Sequence, residues 1–182
     1  MPLQRGSERG ARRGFTLIEL FTVIAIITVL AGVAFGAIRG AKRQAAIARA
    51  RAELAVLGQA LEEYKRQYGD YPWTAATPAQ LYQTLNGKLD PAGAALNGRR
   101  FITSSQFTLN DPDPARVDDP ANFLVDPWGN FYRYVYFHQV SPERRGYVLY
   151  SAGPDGADTP PNTNGAFNAT DPGNADNLYA NQ

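Results

Sequence analysis

The sequence contains no cysteine and a single histidine among 182 residues. Without cysteine there is no disulfide and no thiolate metal site. One histidine, His138, is too few for an ordinary zinc centre, and at the end of an aromatic run it reads as a packed or surface residue. There is no G-x-S-x-G elbow, no Walker loop and no dinucleotide fingerprint. The formal net charge is +1, so the basic excess that nucleic-acid partners require is missing and no nucleic acid is expected. These absences turn attention from catalysis to anchoring, binding or assembly. The length suits about one domain.

What is present is sharply divided. Residues 1 to 14 are polar, with Arg5, Arg9, Arg12 and Arg13 against Glu8. Residues 15 to 38, FTLIELFTVIAIITVLAGVAFGAI, are apolar apart from Glu19 and three threonines. The run exceeds the roughly 20 residues that a hydrocarbon core demands. It is also longer than the apolar core of a secretory signal, about 7 to 15 residues, and no A-x-A site follows it. A retained membrane-spanning helix is therefore expected rather than a buried core helix. Charge does not orient it: Arg39, Lys42, Arg43, Arg49 and Arg51 follow the run as closely as the first arginines precede it.

Glu19 stands inside the apolar run. A carboxylate there is costly, less so near the end of a span than at its centre. Two accounts are open. Glu19 snorkels to the interface, or the chain is cut between Gly14 and Phe15. The cut would place Glu19 in the first turn of a new helix, where the macrodipole favours negative charge, within reach of a free α-amino group.

Gly14-Phe15-Thr16-Leu17-Ile18-Glu19-Leu20 resembles the class III signal of type IV pilins and type II secretion pseudopilins. All of its parts occur together: a short basic leader, Gly, Phe, three residues, Glu and an apolar run. The resemblance implies removal of leader 1–14 by a prepilin peptidase and N-methylation of Phe15. It implies that Glu19 pairs with the amino group of a neighbouring subunit during assembly. It also implies a single-pass protein of the bacterial inner membrane, with residues 39–182 in the periplasm. One departure is Gly36, where many members carry proline. Gly36 weakens a helix by only about 1 kcal/mol relative to Ala, and with Gly32 it forms a small-xxx-small pair.

The helix is expected to continue beyond the span. Ile47, Ala50, Leu54, Leu57, Leu61, Tyr64 and Tyr68 recur at spacings of three and four, with polar residues between. Gly69 and Pro72 supply the stop. From Phe15 to Tyr68 such a helix is about 80 Å long. The stripe is expected to pack on a small sheet of the same chain rather than form a coiled-coil seam.

Thr77-Pro78 followed by Leu81, Tyr82 and Leu85 reads as a short capped helix closed by Asn86-Gly87. Residues 87–100 and 110–120 read as loops, and 101–109 as a strand. Asp126-Pro127-Trp128-Gly129-Asn130 is a turn signature. Residues 131–138 and 146–151 read as two strands of a hairpin.

Two further stretches extend the resemblance. LGQALEEYKRQYGDYP, and DPWGNFYRY followed by YSAGPDG, are similar to the major-pseudopilin family of type II secretion. Residues 88–122 are the least matched. The fold so implied is α+β and type IV pilin-like. It has a long N-terminal helix, half of it transmembrane, packed on a small antiparallel sheet (about 101–151) with a C-terminal loop (152–182). The missing cysteines agree, since many type IV pilins staple this region with a disulfide.

The tail carries Asp155, Asp158, Asp171 and Asp176 with Asn162, Asn164, Asn168, Asn174 and Asn177. On composition alone it is a solvated turn-rich loop. Such a loop also offers the oxygen ligands that calcium takes, six to eight in flexible geometry, though the spacing is not an EF-hand. The resemblance implies calcium held by the Ala152 carbonyl, Asp155, Asn174 and Asp176. The family usually has an acid where Asn174 stands, and a shorter loop; Asp158 or Asp171 is the expected compensation. Asn168-Ala169-Thr170 matches a glycosylation sequon, a pattern common by chance.

The function expected is a structural, non-enzymatic subunit of a periplasmic pseudopilus. Its implied partners are its own copies, prepilin peptidase, an inner-membrane assembly platform, minor pseudopilins and lipid. The alternative within the family is a type IV pilin or minor pseudopilin acting in adhesion, motility or DNA uptake. The alternative outside it is a membrane-anchored periplasmic enzyme or binding module.

Overall fold

The computed structural model describes residues 15–73, 77–136, 146–161 and 170–180. Gly14, His138, Asn162, Asn164 and Asn168 lie outside these segments, so the expectations placed on them are not addressed structurally. The chain divides into two compact units, Met1–Arg43 and Gln44–Gln182. Helix α1 (Leu17–Tyr68) contributes to both.

In the first unit, α1 is an apolar helix with its side chains on the outside. An 18-residue window of it has mean hydropathy 2.5 and buries nothing within the chain. Phe15, Ile18, Phe21, Val29 and Phe35 are all exposed. No soluble core accounts for such a surface, which is compatible with a membrane anchor.

In the second unit, the α1 stripe does what its spacing predicts. Ala50, Leu54, Leu57, Leu61 and Tyr64 are fully buried. Leu54, Leu57, Leu61 and Tyr64 join Leu81, Tyr82 and Leu85 of α2 (Pro78–Leu85) in one core with sheet and loop residues. Gly69 ends α1 at φ 85°, and its N–H returns to the Lys65 carbonyl at 2.8 Å. Thr77 occupies the N-cap of α2 with its side chain making no cap bond, so Pro78 in the first turn sets the start. Gly87 ends it at φ 76°.

Among the described residues five short strands follow, all antiparallel: β1 (Thr108–Leu109), β2 (Leu124–Val125), β3 (Arg133–Tyr136), β4 (Tyr147–Ser151) and β5 (Leu178–Tyr179). They form two sheets, β1-β2 and β3-β4-β5. The hairpin register sets Arg133 against Tyr150 and Tyr136 against Tyr147. This is the α+β, pilin-like arrangement expected.

Two boundaries differ from expectation. Sheet pairing begins at Thr108 rather than near 101. Ser104–Gln106 form a 3-10 turn instead, closed by the Gln106 N–H on the Thr103 carbonyl and the Phe107 N–H on the Ser104 carbonyl. Ile102 and Phe107 still reach the core from either side. The tail is not loop throughout, because Leu178–Tyr179 add a third strand beside β4. Tyr179 packs its ring on Tyr150, centroids 5.2 Å apart. Between β1 and β2, fully buried Asn122 organises the polar loop. It accepts from the Asp111 N–H and donates to the Asp111 and Arg116 carbonyls.

Candidate functional site

Two places carry the expected site residues. The first is the start of α1. Phe15 is exposed, just ahead of the helix. Glu19 accepts from the Thr16 N–H and from the Thr16 hydroxyl, both at 2.8 Å, while the Glu19 N–H donates to Thr16 Oγ1 at 3.3 Å. This reciprocal arrangement is a capping box, and T-x-x-E at 16–19 is its sequence signal. The reading of Glu19 from its charge alone missed it. The carboxylate accepts from one backbone donor and one hydroxyl at the start of its own helix, which lowers the cost of placing it in an apolar run.

The second place joins the D-P-W-G-N turn to the S-A-G-P-D-G segment. Asp126 is buried and shapes the turn: Oδ1 accepts from the Trp128 and Asn130 N–H groups at 3.0 and 2.9 Å. Gly129 completes it at φ 92°. The other oxygen, Oδ2, accepts from the Ser151 hydroxyl at 2.6 Å. Ser151 Oγ in turn accepts from the Gly153 N–H at 3.1 Å, and Asn130 donates to the Gly153 carbonyl at 2.9 Å. Two motifs that the sequence shows as separate are thus one hydrogen-bonded unit.

The tail closes over this unit. Gly153 has φ 69°, and a Cβ there would lie 2.6 Å from the Asp176 carbonyl oxygen and 2.8 Å from its Oδ2. Only glycine admits Asp176 so close. The expected ligand positions around Ala152 and those around Asp176 are therefore brought together. Ala152 is buried and Asp155 exposed, the latter with Oδ1 accepting from the Ala157 N–H.

The remaining expected ligands are engaged within the protein. Asp158 is held by Arg133 at 2.7 Å and by the Tyr150 hydroxyl at 2.7 Å. That bond and burial push the Tyr150 phenol well above its usual range, burial being the larger cause. Asn174 Oδ1 accepts from the Thr159 and Asn177 amides. Asp171 caps the 172–174 turn and accepts from the Thr159 hydroxyl. Among the described residues no three Asp, Glu, His or Cys side chains form a metal-sized cluster. A cation here would lean on carbonyl and amide oxygens, which calcium accepts.

A groove of about 390 Å³ lies beside β3 and α2, lined by Thr77, Leu81, Phe131, Arg133, Tyr134 and Tyr150 among others. Its charged groups, Arg133 and Asp158, are committed to each other.

Residues 9–35 match the family model of the prokaryotic N-terminal methylation motif. The type II secretion system core protein G of Escherichia coli strain K12 is 34% identical over 80% of this chain and 83% of its own length. Its namesake from Pseudomonas aeruginosa is 29% identical over 93% of this chain and 99% of its own. That from Klebsiella pneumoniae is 30% identical over 80% and 86%. No solved structure gives a significant match. A methylation-motif helix start and a domain shared over most of its length place this chain in the family of the type II secretion core protein G, the major pseudopilins.

Proposed function

We propose that this chain is a repeating, non-enzymatic subunit of a periplasmic pseudopilus that drives protein export by type II secretion. The carrying observation is the exposed apolar segment from Phe15 to Ile38, helical from Leu17, with a single carboxylate at its start. Such a surface needs lipid before assembly and neighbouring helices after it.

In this reading a prepilin peptidase cuts after Gly14, and the new Phe15 amine is methylated. The subunit waits in the bacterial inner membrane, single-pass, with residues 39–182 in the periplasm. On assembly Glu19 exchanges its Thr16 cap for the Phe15 amine of a neighbouring copy, guided by an inner-membrane platform and by minor pseudopilins. The exchange replaces bonds from neutral donors to the carboxylate with an ion pair to a cationic amine, which is stronger at low dielectric.

Calcium is part of the proposal. The Ala152 carbonyl, Asp155 and Asp176 would hold it, with Asn174 and Asp158 bracing the loop through the contacts described. The ion supplies charge neutralisation to a segment with little apolar surface to bury, so binding free energy becomes folding free energy.

The test is Glu19→Ala in cells that secrete by this route. Leader removal should proceed as in wild type while filaments and secretion are lost. Normal filaments from the variant would overturn the role assigned to Glu19.

A further inference from the structure

Helix α1 leaves its apolar run at Ile38 and at once presents three cations, Arg39, Lys42 and Arg43, all exposed. Spacings of three and four put them on one face of the helix. Among the described residues no ion pair involves any of them. Nor does the neighbouring sequence supply an acid. No Asp or Glu lies between Glu19 and Glu53, and Glu53 is paired to Arg49 at 2.7 Å. The helix therefore carries an uncompensated positive face just where its apolar surface ends.

The spacing of charges along the helix matches a bilayer. From Glu19 to Arg39 the axis rises about 30 Å, the thickness of a hydrocarbon core. With Glu19 at one interface, Arg39 stands level with the headgroups at the other. From Arg39 to Arg43 the rise is about 6 Å, so all three cations fit within the polar layer that flanks the core, roughly 5–8 Å deep.

We infer that Arg39, Lys42 and Arg43 form a docking face for the phosphate groups of anionic phospholipid, at the end of the span remote from Glu19. The inference rests on the membrane reading above and adds a lipid chemistry to it. Each guanidinium can take two phosphate oxygens at once, while the Lys42 ammonium acts as a point charge. Acids of a neighbouring copy are the other candidate occupant. Lipid is favoured because this face is continuous with the apolar surface that lipid covers. The hold is electrostatic, so it lengthens membrane residence without apolar area and opposes withdrawal of the subunit into a filament.

The test reconstitutes the full chain in phosphatidylcholine vesicles with a trace of spin-labelled phosphatidylglycerol or spin-labelled phosphatidylcholine. Paramagnetic resonance then counts the lipid whose motion the protein restricts. Wild type is compared with Arg39→Gln/Lys42→Gln/Arg43→Gln and with Arg39→Lys/Arg43→Lys. A leader variant with Arg5, Arg9, Arg12 and Arg13 changed to Gln separates the attraction of the leader. Glutamine keeps the helix, since its propensity is close to that of Lys and Arg. Wild type should favour phosphatidylglycerol on the order of fivefold, the selectivity that one interfacial cation can give. The triple glutamine variant should lose most of that preference, while the lysine and leader variants keep most of it. Salt at about 1 M, where the Debye length is about 3 Å, should suppress the preference in wild type. A triple variant with the wild-type preference overturns the inference. If it keeps that preference and loses self-association, the face belongs to a neighbouring copy, and the inference is again overturned. A wild type that restricts neither lipid does not span the bilayer, which removes the membrane reading and this inference with it.

Discussion

Asn130 donates its side-chain amide to the Gly153 carbonyl at 2.9 Å and so ties the D-P-W-G-N turn to the start of the C-terminal tail. The bond spans two turns that share no strand register. A Cβ at Gly156 would lie 2.8 Å from Asn130 Oδ1, so the tail also packs against this side chain. Asn130→Ala should therefore destabilise the domain by about 1 kcal/mol, the usual net worth of one such bond. Hydrogen exchange at residues 152–156 should accelerate in the variant, while exchange in α2 stays as in wild type. Unchanged protection of the tail would show that the Asp126–Ser151 bond suffices alone.

Gly153→Ala is expected to do more. It forces a side chain into a left-handed backbone and against Asp176 at the same time. The strain and the clash should together cost about 1–3 kcal/mol, read as a lowered urea midpoint. The calcium-dependent rise in melting temperature should shrink as well.

Glu53 is buried in the middle of α1, paired to Arg49 at 2.7 Å and accepting from the Tyr132 hydroxyl. Tyr132→Phe removes that donor and leaves a buried carboxylate short of one bond. The expected loss is about 1–3 kcal/mol in urea unfolding. Tyr134→Phe serves as the comparison, since its hydroxyl donates to a neutral carbonyl, that of Pro72, and it should cost less.

The tyrosines predict behaviour at high pH. Burial, and next the nearby Glu62, push the Tyr147 phenol up to about 12. Tyr71 is raised further by burial first and by its bond to Glu62 next. Tyr132 is raised by burial and then by Glu53. An unfolded tyrosine ionises near 10. Raised groups hold their protons more tightly when folded, so their contribution is complete below about pH 10 and is lost as pH rises through the folded values. Stability should be flat on this account up to about pH 10 and fall steeply above it. Phenolate absorbance should lag behind that of the urea-unfolded chain. Coincident titration of the two would refute the burial of these hydroxyls.

Much of the fold was legible because local chemistry and global packing agree in it. The spacing from Ala50 to Tyr64 specifies one helix face, and that face is the buried one. Pro78 and Gly87 delimit α2 through a preset φ and a left-handed φ, both local properties. The hairpin of β3 and β4 follows from aromatic and β-branched runs that a strand accommodates. The capping box at Thr16 was equally local, and T-x-x-E would have revealed it had Glu19 been read for hydrogen bonding as well as charge.

The rest was decided at a distance. Leu178–Tyr179 is too short for any periodic signal. It becomes a strand because Tyr150 and the free edge of β4 receive it. Residues 101–109 carry strand-like apolar positions, yet the polar T-S-S-Q cluster turns on itself and leaves only two residues to pair. Asp158 looked like a spare ligand among acids, and the register of Arg133 against Tyr150 delivers both of its partners. By itself the sequence determined the membrane-type helix, the processing signature and the order of the helices and hairpin, because those depend on contacts a few residues apart. Tertiary structure alone decided which tail oxygens are engaged and that Asn177 keeps one unpaired. Hydrogen-bond satisfaction is a property of the closed loop, and no spacing along the chain encodes it.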